Sequence, residues 1–122
     1  MKIQREESLK IQSIDHKSRY LQDVIKLWGQ NRTTLGLFPK DAFKERATNQ
    51  EILKAIDSEA EFAGYLLFRT SYNRVTIAHL CIAPSHRGKG ITKKLINKLK
   101  KITTIFVSKK HFKIGNKLSS FS

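Results

Sequence analysis

Residues 82–91 read IAPSHRGKGI, and this stretch decides the fold. An apolar run, VTIAHLCI over residues 75–82, stops at Pro84. A run with helical period begins at Ile91. Between them Gly88 and Gly90 alternate with Arg87 and Lys89. A strand that ends in a glycine turn and opens a helix makes an anion site. The first-turn amides have no intrahelical partner, and the helix dipole favours negative charge there. Glycine lets a ligand approach the backbone and tolerates positive φ. The turn at residues 87–92 is therefore suited to a diphosphate. It is not a P-loop, because the six-residue spacing and the Lys-Ser/Thr ending are missing. Nor is it a dinucleotide fingerprint, because position 93 is Lys and the preceding strands do not form a βαβ unit. A plain strand-to-helix turn, with glycine for geometry and cations for solubility, is the simpler alternative.

Downstream, Ile91, Leu95, Ile96, Leu99 and Ile102 mark one face of an amphipathic helix, with Lys93, Lys94, Lys98, Lys100 and Lys101 off the stripe. A β-branched run at residues 102–107 predicts a further strand. From Ser108 the sequence SKKHFKIGNKLSSFS shows no sustained period. Upstream, EILKAID at residues 51–57 and FAGYLLFRT at residues 62–70 precede the VTIAHLCI strand across short turns. Three such strands predict an antiparallel meander. Further back, Leu21, Val24, Ile25 and Trp28 fall at helical spacing within residues 18–30. Residues 31–36 end that helix. Pro39 then stands at a first helical position, ahead of a short helix over residues 40–48. Residues 9–14 alternate loosely and predict a first strand.

The 122 residues suffice for one domain. The net charge is +14, unevenly spread: all ten acids lie at or before Glu61, and the thirteen Lys or Arg after it face no acid. That half should attract anions, whether phosphate-bearing cofactors, nucleic acid or acidic surfaces, although many of the lysines need only be solvated. The single cysteine, Cys81, excludes an internal disulfide and reads as a small buried hydrophobe. No run of about 18 apolar residues predicts a membrane span, and the N-terminus lacks the apolar core of a secretory signal. A cytoplasmic protein is expected, which makes the sequon at Asn31 a chance match.

With its context, Arg87-Gly88-Lys89-Gly90-Ile91-Thr92 resembles the signature of the GNAT superfamily of acyl-CoA-dependent N-acyltransferases: Arg or Gln, two residues, Gly, one residue, Gly or Ala. HLCIAPSHRGKGITKKLINKL is similar to that family's strand, basic glycine turn and helix, and the resemblance covers roughly residues 8–107. Thr92 departs from the final small position. The resemblance implies an α/β (α+β) domain over residues 1–107, a mixed and mainly antiparallel sheet flanked by helices. It implies acetyl-CoA as acyl donor, no metal, and an amine acceptor left unidentified. Residues 87–92 would bind the pyrophosphate, and Leu80, Cys81 and Ile82 would pair with the pantetheine arm like an added strand. Lys89, Lys93 and Lys94 would lie within reach of the phosphates. Direct transfer needs a base. His79 is the titratable group in range on that strand, opposite Leu80 and with Ile77 and Cys81 as same-face neighbours by alternation. A packed or surface histidine is the competing reading.

Many relatives use a tyrosine after the fifth strand as general acid, and this chain has no Tyr after Tyr72. Asn116 matches the family's cofactor-contacting Asn in type alone. The family pattern continues past the fifth strand, whereas residues 108–122 read as a basic tail, aberrant or flexible. A truncated transferase is the leading expectation, its activity open and its exposed edge a reason to dimerise. A non-catalytic basic module for nucleic acid or another anionic partner is the alternative, and an inactive remnant is the third.

Overall fold

The computed structural model describes residues 9–72 and 74–103, together with the backbone of Phe112–Ile114. The elements run β1 (Lys10–Ser13), α1 (Tyr20–Gln30), α2 (Arg32–Leu35), α3 (Lys40–Thr48), β2 (Ile52–Ile56), β3 (Phe62–Ser71) and β4 (Arg74–Ile82). A single 3-10 turn (Pro84–His86), α4 (Ile91–Thr103) and β5 (Phe112–Ile114) complete the order. The five strands form one sheet in the order β1-β2-β3-β4-β5. The first four are antiparallel, and β5 joins β4 in parallel.

The sheet carries helices on both faces, so its central strands are buried on both sides. All five residues of β2 are buried. One core layer forms where Leu21, Val24 and Trp28 of α1 and Phe43 of α3 meet Tyr65 and Leu67 of β3. The opposite layer forms where Ile91, Leu95 and Leu99 of α4 meet Leu53, Leu66 and Phe68. The apolar spacing of both helices thus does what it predicts: it drives one stripe of each onto the sheet.

The structure departs from the sequence expectations in five places. Residues 31–36 do not merely end α1; they include the one-turn helix α2. Pro39 precedes α3 at its N-cap, with extended backbone (φ −63°, ψ 138°), and its carbonyl accepts the Ala42 amide at 2.9 Å. Ile102 and Thr103 belong to α4 rather than to a strand, because the hydrogen-bond ladder continues past the last Lys pair and Thr103 Oγ1 donates to the Leu99 carbonyl at 2.7 Å. Residues 104–107 lie outside the described residues. Within the stretch read as a tail, Phe112–Ile114 pairs with Val75, Thr76 and Ile77. Three residues are too few to display a period, and their pairing comes from β4 rather than from local sequence.

The fifth departure is a bulge in β4. Leu67 pairs with His79 but Phe68 pairs with Ile77, which leaves Ala78 without a partner on β3. An extra residue switches the faces of a strand. Val75 and Ile77 pack in the α4 layer, whereas Cys81 packs in the α1–α3 layer. Ile77 is therefore not a same-face neighbour of His79, although Cys81 is.

Candidate active site

Past Ile77, no strand among the described residues pairs with β4 on its edge away from β3. Alternate residues of a strand send their amide groups to opposite edges. Ala83 donates its N–H to the Ala63 carbonyl at 2.8 Å, toward β3. Leu80 and Ile82 accordingly present their backbone groups to the other edge, where Arg87 Nε donates to the Ile82 carbonyl at 3.0 Å. The same guanidinium begins the glycine turn, so the strand end and the turn are fastened together.

Both turn glycines adopt left-handed backbone, φ +79° at Gly88 and +76° at Gly90. Side chains rarely adopt this region, which is why glycine stands at both positions. The Gly90 carbonyl accepts the Lys94 amide at 3.3 Å and starts α4. The amides that follow it in the first turn have no carbonyl behind them to bond.

A cavity of about 580 Å³ lies between these parts. Leu80, Cys81 and Ile82 form one wall, and Arg87, Gly88, Gly90, Ile91 and Thr92 form the end at α4. Of the nine residues expected to hold the acyl donor, eight line this cavity; Lys89 does not, and is exposed. The remaining wall was not anticipated from sequence. It comes from Asn31, Thr34 and Leu35 around α2, and from His86. Thr92 is half-buried on the lining, so its extra methyl borders the cavity rather than filling the core.

His79 is 4% exposed and is not on the cavity lining. Its Nδ1 lies 3.0 Å from the Tyr65 hydroxyl, and its ring meets Phe38 edge-on at 4.8 Å between centroids. Burial lowers its pKa to about 4, so the imidazole is neutral near pH 7. Burial also raises the Tyr65 phenol. The Cys81 thiol is pushed up by burial too, against a smaller opposing effect of Arg87. It is therefore a packed thiol and not an activated nucleophile.

His86, by contrast, has a built environment. The Asp57 carboxylate can only accept, so His86 Nε2 donates to Oδ2 across 2.9 Å and Nδ1 faces the Ser85 hydroxyl at 2.8 Å. The other oxygen, Oδ1, accepts the amides of Glu59 (2.8 Å) and Glu61 (3.0 Å). The His86 bond first, and the Glu61 amide next, hold the Asp57 carboxyl down to about 2. Asp57 precedes His86 by 29 residues, and no sequence signal links them. Among the described residues, no group of three His, Cys, Asp or Glu is placed to hold a metal, and no helix is long and apolar enough to cross a membrane.

The family model described as the acetyltransferase (GNAT) family matches residues 17–104, from the loop before α1 to the end of α4. The chain belongs to the GNAT acetyltransferase family. A comparison with curated proteins returns no match. Solved GNAT structures share the fold at low identity. A ribosomal-protein-alanine N-acetyltransferase from Brucella melitensis biovar Abortus 2308 is 18% identical, with a TM-score of 0.67 over 89% of this chain and 82% of that one. The N-acetylglutamate synthase of Neisseria gonorrhoeae, complexed with coenzyme A and N-acetyl-glutamate, is 13% identical with a TM-score of 0.72, over 84% of this chain and 24% of its own length. The diaminobutyrate acetyltransferase of Paenibacillus lautus, bound to L-2,4-diaminobutyric acid and coenzyme A, is 17% identical with a TM-score of 0.65, over 78% of this chain and 58% of that chain. Family membership supports acetyltransferase activity in general.

Proposed function

We propose that the chain binds acetyl-CoA in the cavity beside β4 and transfers its acetyl group to a primary amine. One observation carries this reading: the edge of β4 at residues 80–82, which no strand among the described residues pairs, and the left-handed glycine turn before α4 border the same cavity. The first supplies N–H and C=O groups for an extended amide-bearing arm. The second supplies convergent amides and the positive end of a helix for a diphosphate. The arm and the diphosphate are covalently joined in coenzyme A, as the two features are joined at residues 82–87. Two relatives of the fold carry coenzyme A in their structures.

In the proposed reaction the amine lone pair attacks the thioester carbonyl carbon. The C–S bond breaks, the amine loses a proton and the thiolate gains one. The Leu80 and Ile82 backbone fixes the thioester arm against β4, which converts a bimolecular encounter into a positioned one. For the amine proton, His79 on β4 is the proposed acceptor only through a water chain, since its ring is 4% exposed, bonded to Tyr65 and off the cavity lining. The Tyr65 hydroxyl lies 3.0 Å from Nδ1 and can donate or accept there, so Nε2 carries the free lone pair only in the tautomer whose proton is on Nδ1. The proposed transfer is direct and does not use the Cys81 thiol, which burial raises above its ordinary range.

Thiol release from acetyl-CoA tests the reading, with a panel of alanine-initiated peptides, glutamate and diaminobutyrate as acceptors. Amine-dependent release is the expected result. Absence of both turnover and acetyl-CoA binding would contradict it.

A further inference from the structure

Immediately before the glycine turn, the chain is pinned from a distance. His86 closes the 3-10 turn, donates its amide to the Ala83 carbonyl at 2.9 Å, and lines the cavity. Its ring reaches Asp57 in the turn between β2 and β3. Asp57 is itself locked: its amide donates to the Glu61 carbonyl at 3.0 Å, its carbonyl accepts from Ala60 at 2.9 Å, and its Oδ1 takes two further amides. A carboxylate with its own turn organised around it is a rigid anchor. The segment it anchors, residues 87–90, has no regular hydrogen-bond ladder and two left-handed glycines. Such a segment loses conformational entropy when it orders around a ligand, and an anchor at its start removes part of that cost beforehand.

We infer that Asp57 and His86 are positioning residues for the donor site: their contact ties the β2–β3 turn to the cofactor turn and holds the amides of residues 88–92 in binding order. This inference rests on the proposed acetyl-CoA site. It adds two residues that lie outside the turn signature, one of which, His86, lines the cavity.

The test is the affinity for coenzyme A, by calorimetry, together with amide hydrogen exchange of the ligand-free chain. His86→Ala and Asp57→Ala should each raise Kd about tenfold, the scale of one lost charge-assisted hydrogen bond. The double variant should be no worse than either single one, because both remove the same contact. His86→Gln restores a donor to Asp57 and should bind within about threefold of wild type on the same scale. Exchange at residues 87–93 should quicken in both alanine variants and recover in His86→Gln. Val75→Ala, at the far end of β4, should lower stability and leave Kd unchanged. If Asp57→Ala does not fold, Asp57→Asn keeps an acceptor for the two amides and still alters the His86 contact. Unchanged Kd in both alanine variants, or additive losses in the double variant, would overturn the inference. Failure of wild type to bind coenzyme A would instead strike the proposed function. Exchange at residues 87–93 then decides the positioning role alone, and unchanged rates in the variants would reject it.

Discussion

A Cβ added at Gly88 or Gly90 would meet open space, so the demand for glycine there is one of backbone angle alone. Gly90→Ala should cost about 1–2 kcal/mol of stability if the left-handed angle is kept. If the angle relaxes instead, stability is spared and coenzyme A binding falls, and paired melting and calorimetry distinguish the two. The buried imidazole gives a second prediction at this scale. The folded pKa of His79 is about 4, below its ordinary 6.5, so the unfolded chain binds more protons between those values. Stability should therefore rise with pH from about 4 to 6.5, and the His79 contribution is lost on acidification through that window. His79→Phe keeps the aromatic packing and should flatten that part of the profile, as read from melting temperatures at stepped pH. His79→Gln should lower kcat more than it raises KM if the ring accepts the amine proton; unchanged turnover across pH removes that role.

At the scale of elements, β3 and β4 leave no room for a side chain at Gly64. A Cβ there would lie 2.7 Å from the Cys81 carbonyl oxygen and 3.0 Å from the Ile82 Cα. Backbone cannot yield as a side-chain end does. Gly64→Ala should cost about 1–3 kcal/mol, the range of overpacking, and weaken coenzyme A binding by displacing the edge of β4; denaturant melts and calorimetry would show both. Leu95→Ala, on the fully buried stripe of α4, should cost about 2–5 kcal/mol in the same melts. That stripe, the glycine turn and the three-strand meander were legible because each carries a clean period or a turn residue with a conformational reason. The bulge at Ala78 was not. Residues 75, 77, 79 and 81 are buried on both sides of it, since each face of the sheet is covered, so the burial pattern hides the change of face. The Asp57–His86 contact was equally hidden, because through-space pairing leaves no local spacing to find.

Across the whole molecule, the site stands where three parts meet: the α2 end of the helical layer, the β4 edge and the start of α4. Eight of the twelve residues that line the cavity were among those expected from sequence, because they lie on one continuous stretch around the turn. The α2 wall was not, because Asn31, Thr34 and Leu35 reach the cavity only through the packing of α1 and α3 on the sheet. At the other end of the sheet, Arg46 pairs with the buried Glu51, which also accepts from the Thr70 amide at 3.0 Å. Arg46→Met leaves that carboxylate short of its charge partner and should cost about 3–5 kcal/mol in denaturant melts, without changing coenzyme A affinity in the chain that remains folded.

The most direct test is thermal unfolding with and without acetyl-CoA, with desulfo-CoA and ATP as comparators. At about 100 times its Kd a ligand adds roughly 2.7 kcal/mol to the folded state. A site formed jointly by the β4 edge and the glycine turn predicts large shifts with acetyl-CoA and desulfo-CoA, and a smaller one with ATP, which has phosphates but no pantetheine arm. No shift from a chain that unfolds cooperatively, or an equal shift with ATP, would contradict it.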